Sequence, residues 1–197
     1  MNAITDLQSI QEMLDEDKAT ILFVAGGLKP TGFAVMQGAP YAIDETPITI
    51  DTAVIEKLDS ILKELKLAYV TTTEIMDAWP KDGQQRKQEV MRIFCAPQQK
   101  DAKRLKGLFD HVGDNHSEIG HLLGYPETAV EAFLTDTMLP IDAVPAFTDE
   151  VNEADMRLLG HRVSEEHWRK EVLYLTKFGT YLRSVSPKLY ESLTAPE

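Results

Sequence analysis

The sequence predicts an α+β protein with a small sheet of about four strands in residues 1–97 and a helical remainder in 98–197. Three observations predict it. Short apolar runs rich in β-branched and aromatic residues, bounded by Gly and Pro, fill the first half. After Pro97 the apolar residues recur every three or four positions, and no convincing strand remains. Strands first and helices afterwards is the order in which helices segregate to one side of an antiparallel sheet. The 197 residues suffice for one core that buries roughly 70% of the unfolded surface. A single domain over 1–197 is therefore expected, with a soft internal boundary near 97.

Taken in order, Ile4, Leu7, Ile10 and Leu14 lie at helical spacing and predict a short amphipathic helix over 4–16, ended by the acidic break "DEDK". "TILFVAG" and "FAVMQG" flank the turn-forming "GLKPTG", so 20–37 reads as a two-stranded hairpin. A loop holding Pro40 and Pro47 follows. Asp51 or Thr52 can cap a helix whose apolar stripe is Val54, Ile55, Leu58, Ile61, Leu62 and Leu65. "LAYVTTT" and "EVMRIFCA" read as strands, and the polar segment 74–88 between them as an exposed loop. Beyond Pro97, Ala102, Leu105, Leu108, Phe109 and Val112 form one helix face, and 115–124, 126–137, 150–160 and 164–184 are further helices. Ser164 is read as the cap of the last one, with Glu165 and Glu166 at its positive end.

Composition excludes several function classes. The apolar runs are far shorter than the roughly 20 residues of a membrane-spanning helix, and the N-terminus is acidic where a signal peptide is basic, so a soluble, cytoplasmic protein is expected. The single cysteine, Cys95, excludes an internal disulfide and a Cys-based zinc cluster, and its apolar setting predicts a buried thiol. A net charge of −12 argues against general nucleic-acid binding and against anionic membranes. "AGGLKPTGF" lacks the Gly-Lys-Ser/Thr step into a helix that a phosphate loop requires. It reads as a hairpin loop, with Lys29 and Thr31 as residual candidates for some other ligand contact. No serine stands in Gly-x-Ser-x-Gly.

Two stretches carry candidate chemistry. In "HVGDNHSEIGHLLGYPETAVEAF" (111–133), Glu118 and His121 are three apart and share a helix face, a spacing used by metal-carboxylate bundles. His116 at the helix start extends the set to a candidate metal site of His116, Glu118 and His121. The alternative is purely architectural: Asn115 as N-cap with Glu118 completing a capping box, and His111 near the end of the preceding helix. No organic cofactor is expected, and a divalent metal is the one inorganic group this pattern accommodates. The second stretch is a basic island, 86–106, with seven basic residues against Glu89 and Asp101. Arg86, Arg92, Lys100, Lys103 and Arg104 are the candidate anion-binding residues, for a small anionic ligand or an acidic partner protein. The competing reading is the solvated face of an amphipathic helix.

Within the first stretch, Gly124 suits the left-handed end of a helix, Pro126 the first turn of the next, and Tyr125 the corner between them. The acidic "ETAVEAFLTD" after the turn is wrong for a DNA-recognition helix. "LLGYPETAVEAF" (122–133) resembles a little-characterised prokaryotic family with a Leu-Gly-Tyr-Pro-x-Cys-Cys-x-x-x-Phe stretch. Thr128 and Ala129 stand where that family has its cysteines. The resemblance implies a shared structural corner of Gly124, Tyr125, Pro126 and Phe133, and no activity. The functional expectation is a non-catalytic ligand-binding or protein-interaction domain. Its rival is a metal-dependent or acid/base enzyme centred on His116, Glu118 and His121.

Overall fold

The computed structural model describes residues 2–78, 83–111, 113, 115–139, 151, 153–158 and 163–195. Helix α1 (Ala3–Gln8) is capped by the Asn2 side chain, which accepts from the Ile4 N–H at 3.1 Å. Helix α2 (Asp15–Ala25) occupies the segment expected to hold the first strand. Its residues Ile21, Leu22, Phe23 and Val24 are buried one after another, so it is a helix buried nearly all round and shows no amphipathic period to read. The "DEDK" expected to break a helix is the first turn of this one, where Asp15, Glu16 and Asp17 complement the positive end of the helix dipole. "GGLKP" is its stop rather than a hairpin loop. Gly27 takes φ 71°, its N–H donates to Val24 O at 3.0 Å and the Leu28 N–H to Phe23 O at 2.8 Å, the paired bonds of a left-handed helix end.

The main sheet accordingly has three strands, not four. Strands β1 (Gly32–Gln37), β2 (Ala68–Ala78) and β3 (Arg86–Ala96) lie antiparallel in the order β1-β3-β2, with Phe33 opposite Phe94 and Val70 opposite Phe94. Most of the segment expected to be a loop, 74–88, extends this hairpin. Glu74 to Ala78 pair with Arg86 to Val90, and cross-strand ion pairs Lys87–Asp77 (2.6 Å) and Arg92–Glu74 (2.5 Å) hold the polar ladder. Helix α3 (Thr52–Glu64) forms as expected. Its Asp51 cap accepts from the Ala53 N–H at 2.9 Å, and Leu58, Ile61 and Leu62 are buried.

Alternation along β3 divides the two faces. Met91, Ile93 and Cys95 enter the main core with Ala34 and Met36 of β1, while Phe94 turns to the opposite face. There Phe94 and Phe33 meet Phe109 of helix α4 (Gln99–Phe109), with ring centroids 4.8–5.4 Å apart. Helices α5 (His116–Leu122) and α6 (Glu127–Thr135) follow. Strand β4 (Met138–Leu139) pairs with β5 (Val163–Ser164), a small second sheet in a region expected to be wholly helical. Helix α7 (Glu153–Met156) falls within the expected 150–160, of which residues 150, 152, 159 and 160 lie outside the described residues. Ser164 does not cap the long helix α8 (Trp168–Val185), which begins after His167. A short helix α9 (Pro187–Thr194) closes the described chain beyond the last helix expected.

One apolar cluster runs through both halves, from Leu7, Ile21 and Phe23 to Val163, Leu175, Phe178, Leu182 and Leu189. Each such side chain contributes roughly 1.5–3 kcal/mol by leaving water. No described helix is long and apolar enough to cross a membrane.

Asp17 pays for the position of α2. Burial pushes its carboxyl from 3.8 up to about 6, Glu16 adds to the rise, and a hydrogen bond with the Val35 backbone opposes it. Because the folded-state value exceeds the unfolded one, the native state binds the proton more tightly. Stability from this group is present at low pH and is lost as pH rises from about 4 to about 6. Asp17→Asn should therefore gain about 1 kcal/mol over wild type at pH 7 and little at pH 3.5. Urea melts of both proteins at the two pH values check this, and an equal gain at both would refute it.

Candidate functional site

The α2–β1 connection and the α5–α6 corner are both helix stops, and they dock on one another. At the corner Gly124 has φ 78°, its N–H donates to His121 O at 3.0 Å, and the Tyr125 N–H donates to Gly120 O at 3.0 Å. The left-handed end expected at Gly124 is thus formed, and Pro126 is the residue just before α6. A Cβ on Gly124 would stand 2.9 Å from Pro30 Cδ and 3.6 Å from Lys29 Cα, so this glycine is also a point of close approach. Buried Thr31 completes the junction by donating its hydroxyl to Leu122 O at 2.6 Å. Phe133, expected to belong to the corner, is 55% exposed on α6.

This docking places Lys29 against aromatic rings. Its ammonium lies 5.6 Å from the centroid of Tyr125 and 6.0 Å from that of Phe178. The Lys29 N–H is held by Phe23 O at 3.2 Å, and the Tyr174 hydroxyl donates to Leu28 O at 3.1 Å, which ties α8 to the same connection. Among the described residues no carboxylate, carbonyl or hydroxyl lies within hydrogen-bonding reach of the ammonium. Burial lowers its pKa from 10.5, and burial also raises that of the Tyr125 hydroxyl.

Lys29 lines a cavity of about 300 Å³ whose walls are Phe23 of α2, Tyr125 of the corner, and Tyr174 and Phe178 of α8. Phe178 packs nearly perpendicular to Phe23 (4.5 Å between centroids, 80°) and to Tyr174 (5.2 Å, 70°), so the aromatic wall is itself packed. Arg157 and Glu16 stand at the exposed rim, and Arg157 Nη1 donates to Thr194 O at 2.7 Å. The site is therefore apolar and aromatic, with one cationic group inside it. That arrangement can hold a small organic molecule and fix its orientation.

The residues singled out by pattern are distributed differently. His116 lies with its ring 5.5 Å from that of Phe133, and Glu118 binds Arg104 at 2.6 Å. Exposed His121 joins those last two in an open groove between α4 and α5. Asn115 does not cap α5 with its side chain but donates back to His111 O at 2.7 Å. No three His, Cys, Asp or Glu groups among the described residues are placed to hold a metal ion. Within the basic island, Arg86 and Arg92 are on β3, and Lys100, Lys103 and Arg104 are on α4, which packs against that sheet through Phe109. Arg92 pairs with Glu74 and Arg104 with Glu118. Cys95 is fully buried, and burial drives its thiol up to about 12, far from a reactive thiolate.

Sequence reasoning missed Phe23, Tyr174, Phe178 and Arg157. Lys29 carried a signal, as a lysine in a Gly- and Pro-bounded connection, but its partners lie up to about 150 residues away and share no motif with it. It also missed Glu171, 1% exposed, whose carboxylate accepts from Ser164 N (2.7 Å), Ser164 Oγ (2.8 Å) and Thr128 Oγ1. These bonds fasten β5, α6 and α8 together behind the corner. Compared with protein-family models, curated proteins and solved structures, the chain matches none.

Two outcomes follow from this geometry. Gly27→Ala, where an added Cβ meets nothing within 4 Å, should cost about 1 kcal/mol for its positive φ. Gly124→Ala adds a clash with Pro30 and should cost roughly 2–3 kcal/mol, a ranking that denaturant melts will check. Lys29→Met replaces a half-buried charge that has no hydrogen-bond acceptor among the described residues by an apolar chain of similar length. It should raise stability by about 1 kcal/mol, where a structural lysine would instead lose it.

Proposed function

We propose that the chain is a non-catalytic small-molecule-binding domain and that the cavity between α2, the α5–α6 corner and α8 is its site. The observation that supports this most is the Lys29 ammonium inside an aromatic-walled cavity with no acceptor among the described residues. A buried cation that lacks a partner is costly to keep, and a bound group that supplies the partner recovers that cost. The volume stands at the low end of ligand cavities, and one polar group among rings is the composition such sites have. The groove at Arg104, Glu118 and His121 is the weaker site, because two of its charges satisfy each other.

A fragment screen by protein-observed NMR tests the proposal. Small aromatic fragments should shift signals of Gly124, Tyr125, Leu175 and Phe178, and leave those of Arg104 and His121 in place. Fragments that perturb only the α4–α5 groove, or none that perturb either region, would overturn it.

A further inference from the structure

Resting on that binding reading, we infer that the cavity takes a small aromatic monocarboxylate, its carboxylate against Lys29 and its ring among Phe23, Tyr125 and Phe178. Four features of the cavity select this class. The first is charge. One ammonium faces the interior, while the other cation, Arg157, stands at the rim and already donates to Thr194 O. A single negative charge matches a single lysine. A phosphate would bring close to two charges and three acceptor oxygens, and it requires a cluster of donors such as an arginine fork or converging backbone N–H groups.

The second feature is the sign of the surroundings. The first turn of α2 is acidic, with Asp15, Glu16 and Asp17, and Glu16 reaches the rim. A multiply charged anion would be repelled there, whereas a monocarboxylate can place its one charge on the lysine and its neutral body towards Glu16. The third is shape. Phe23, Tyr125, Tyr174 and Phe178 all line the cavity, and aromatic walls favour a flat ring set edge-to-face or offset-stacked against them. The fourth is size. About 300 Å³ corresponds to roughly ten water-sized volumes, hence a ligand of about ten non-hydrogen atoms, a benzene ring with a carboxylate on a short arm.

The ammonium is held where it must be for this task. The Lys29 backbone N–H is tied to Phe23 O, and its ammonium lies near the Tyr125 and Phe178 rings. A carboxylate arriving in the cavity meets a donor already oriented, with little side-chain entropy left to lose.

Titration calorimetry on the full chain with benzoate, phenylacetate, benzamide and phenylacetamide is the test, with indole as a neutral probe. In wild type each carboxylate should bind about ten-fold or more tightly than its amide. Lys29→Met should bring the carboxylates down to the affinity of the amides and leave the amides and indole within about two-fold. Lys63→Met, at an exposed lysine on α3, should change nothing. If amides match carboxylates in wild type, or Lys29→Met leaves carboxylate affinity intact, the ligand class is wrong while indole binding still supports a binding cavity. If indole binds and carboxylates do not, the class falls alone. If no probe binds, the class and the binding reading fall together. The wild-type comparison of carboxylate with amide needs no variant, so the inference stays testable whatever Lys29→Met does to folding.

Discussion

The site depends on two helix ends that stop against each other. Helix α5 leaves its last carbonyls without intrahelical partners, and Thr31, from a segment 91 residues away in the chain, gives its hydroxyl to one of them at Leu122. The absence of a side chain on Gly124 lets Pro30 approach closely enough for that bond to form. With the two stops docked, the Lys29 ammonium lies near the Tyr125 ring and Leu28 presents its carbonyl to Tyr174. Positioning of the cavity's inner end is thus a by-product of how two helices terminate.

How much of this could be read in advance depended on whether each element kept a single periodic face. Helix α3 shows its stripe because one side meets the sheet and the other meets water, and β1 and β3 show apolar runs because both faces are covered. Helix α2 is covered on nearly all sides, so its residues look like a strand. What contradicted that reading was punctuation, with acids at Asp15 to Asp17 and a Gly-Gly-Leu-Lys-Pro stop, both helix signals. The distal part of the β2–β3 hairpin misled in the opposite sense. Thr73 to Asp77 are exposed, the apolar Ile75 and Met76 included, and they are strand because they pair with β3 rather than because they bury anything.

The candidate sites divided along the same line. The corner at Gly124 was readable because one residue's φ and two local hydrogen bonds define it. The basic island was read from adjacency in the chain, which does not show the acids set beside Lys87, Arg92 and Arg104 by a neighbouring strand or helix. Arg86, Lys87 and Arg92 spread along β3, and the last two meet the acids opposite them on β2. In the histidine-rich stretch, Glu118 and His121 share the α4–α5 groove, with Glu118 on Arg104, while His116 lies against Phe133. An aromatic wall drawn from residues 23, 125, 174 and 178 has no local signature at all.

That long separation has a kinetic side. The bond from Tyr174 to Leu28 closes 146 residues of chain, and the Phe23–Phe178 edge contact closes a similar length. Closing loops of that length costs more chain entropy than closing the β2–β3 hairpin, and such contacts bear on folding rate more than on stability. Both contacts join α8 to the α2 end of the chain at the cavity wall, so an occupant would oppose local opening of α8.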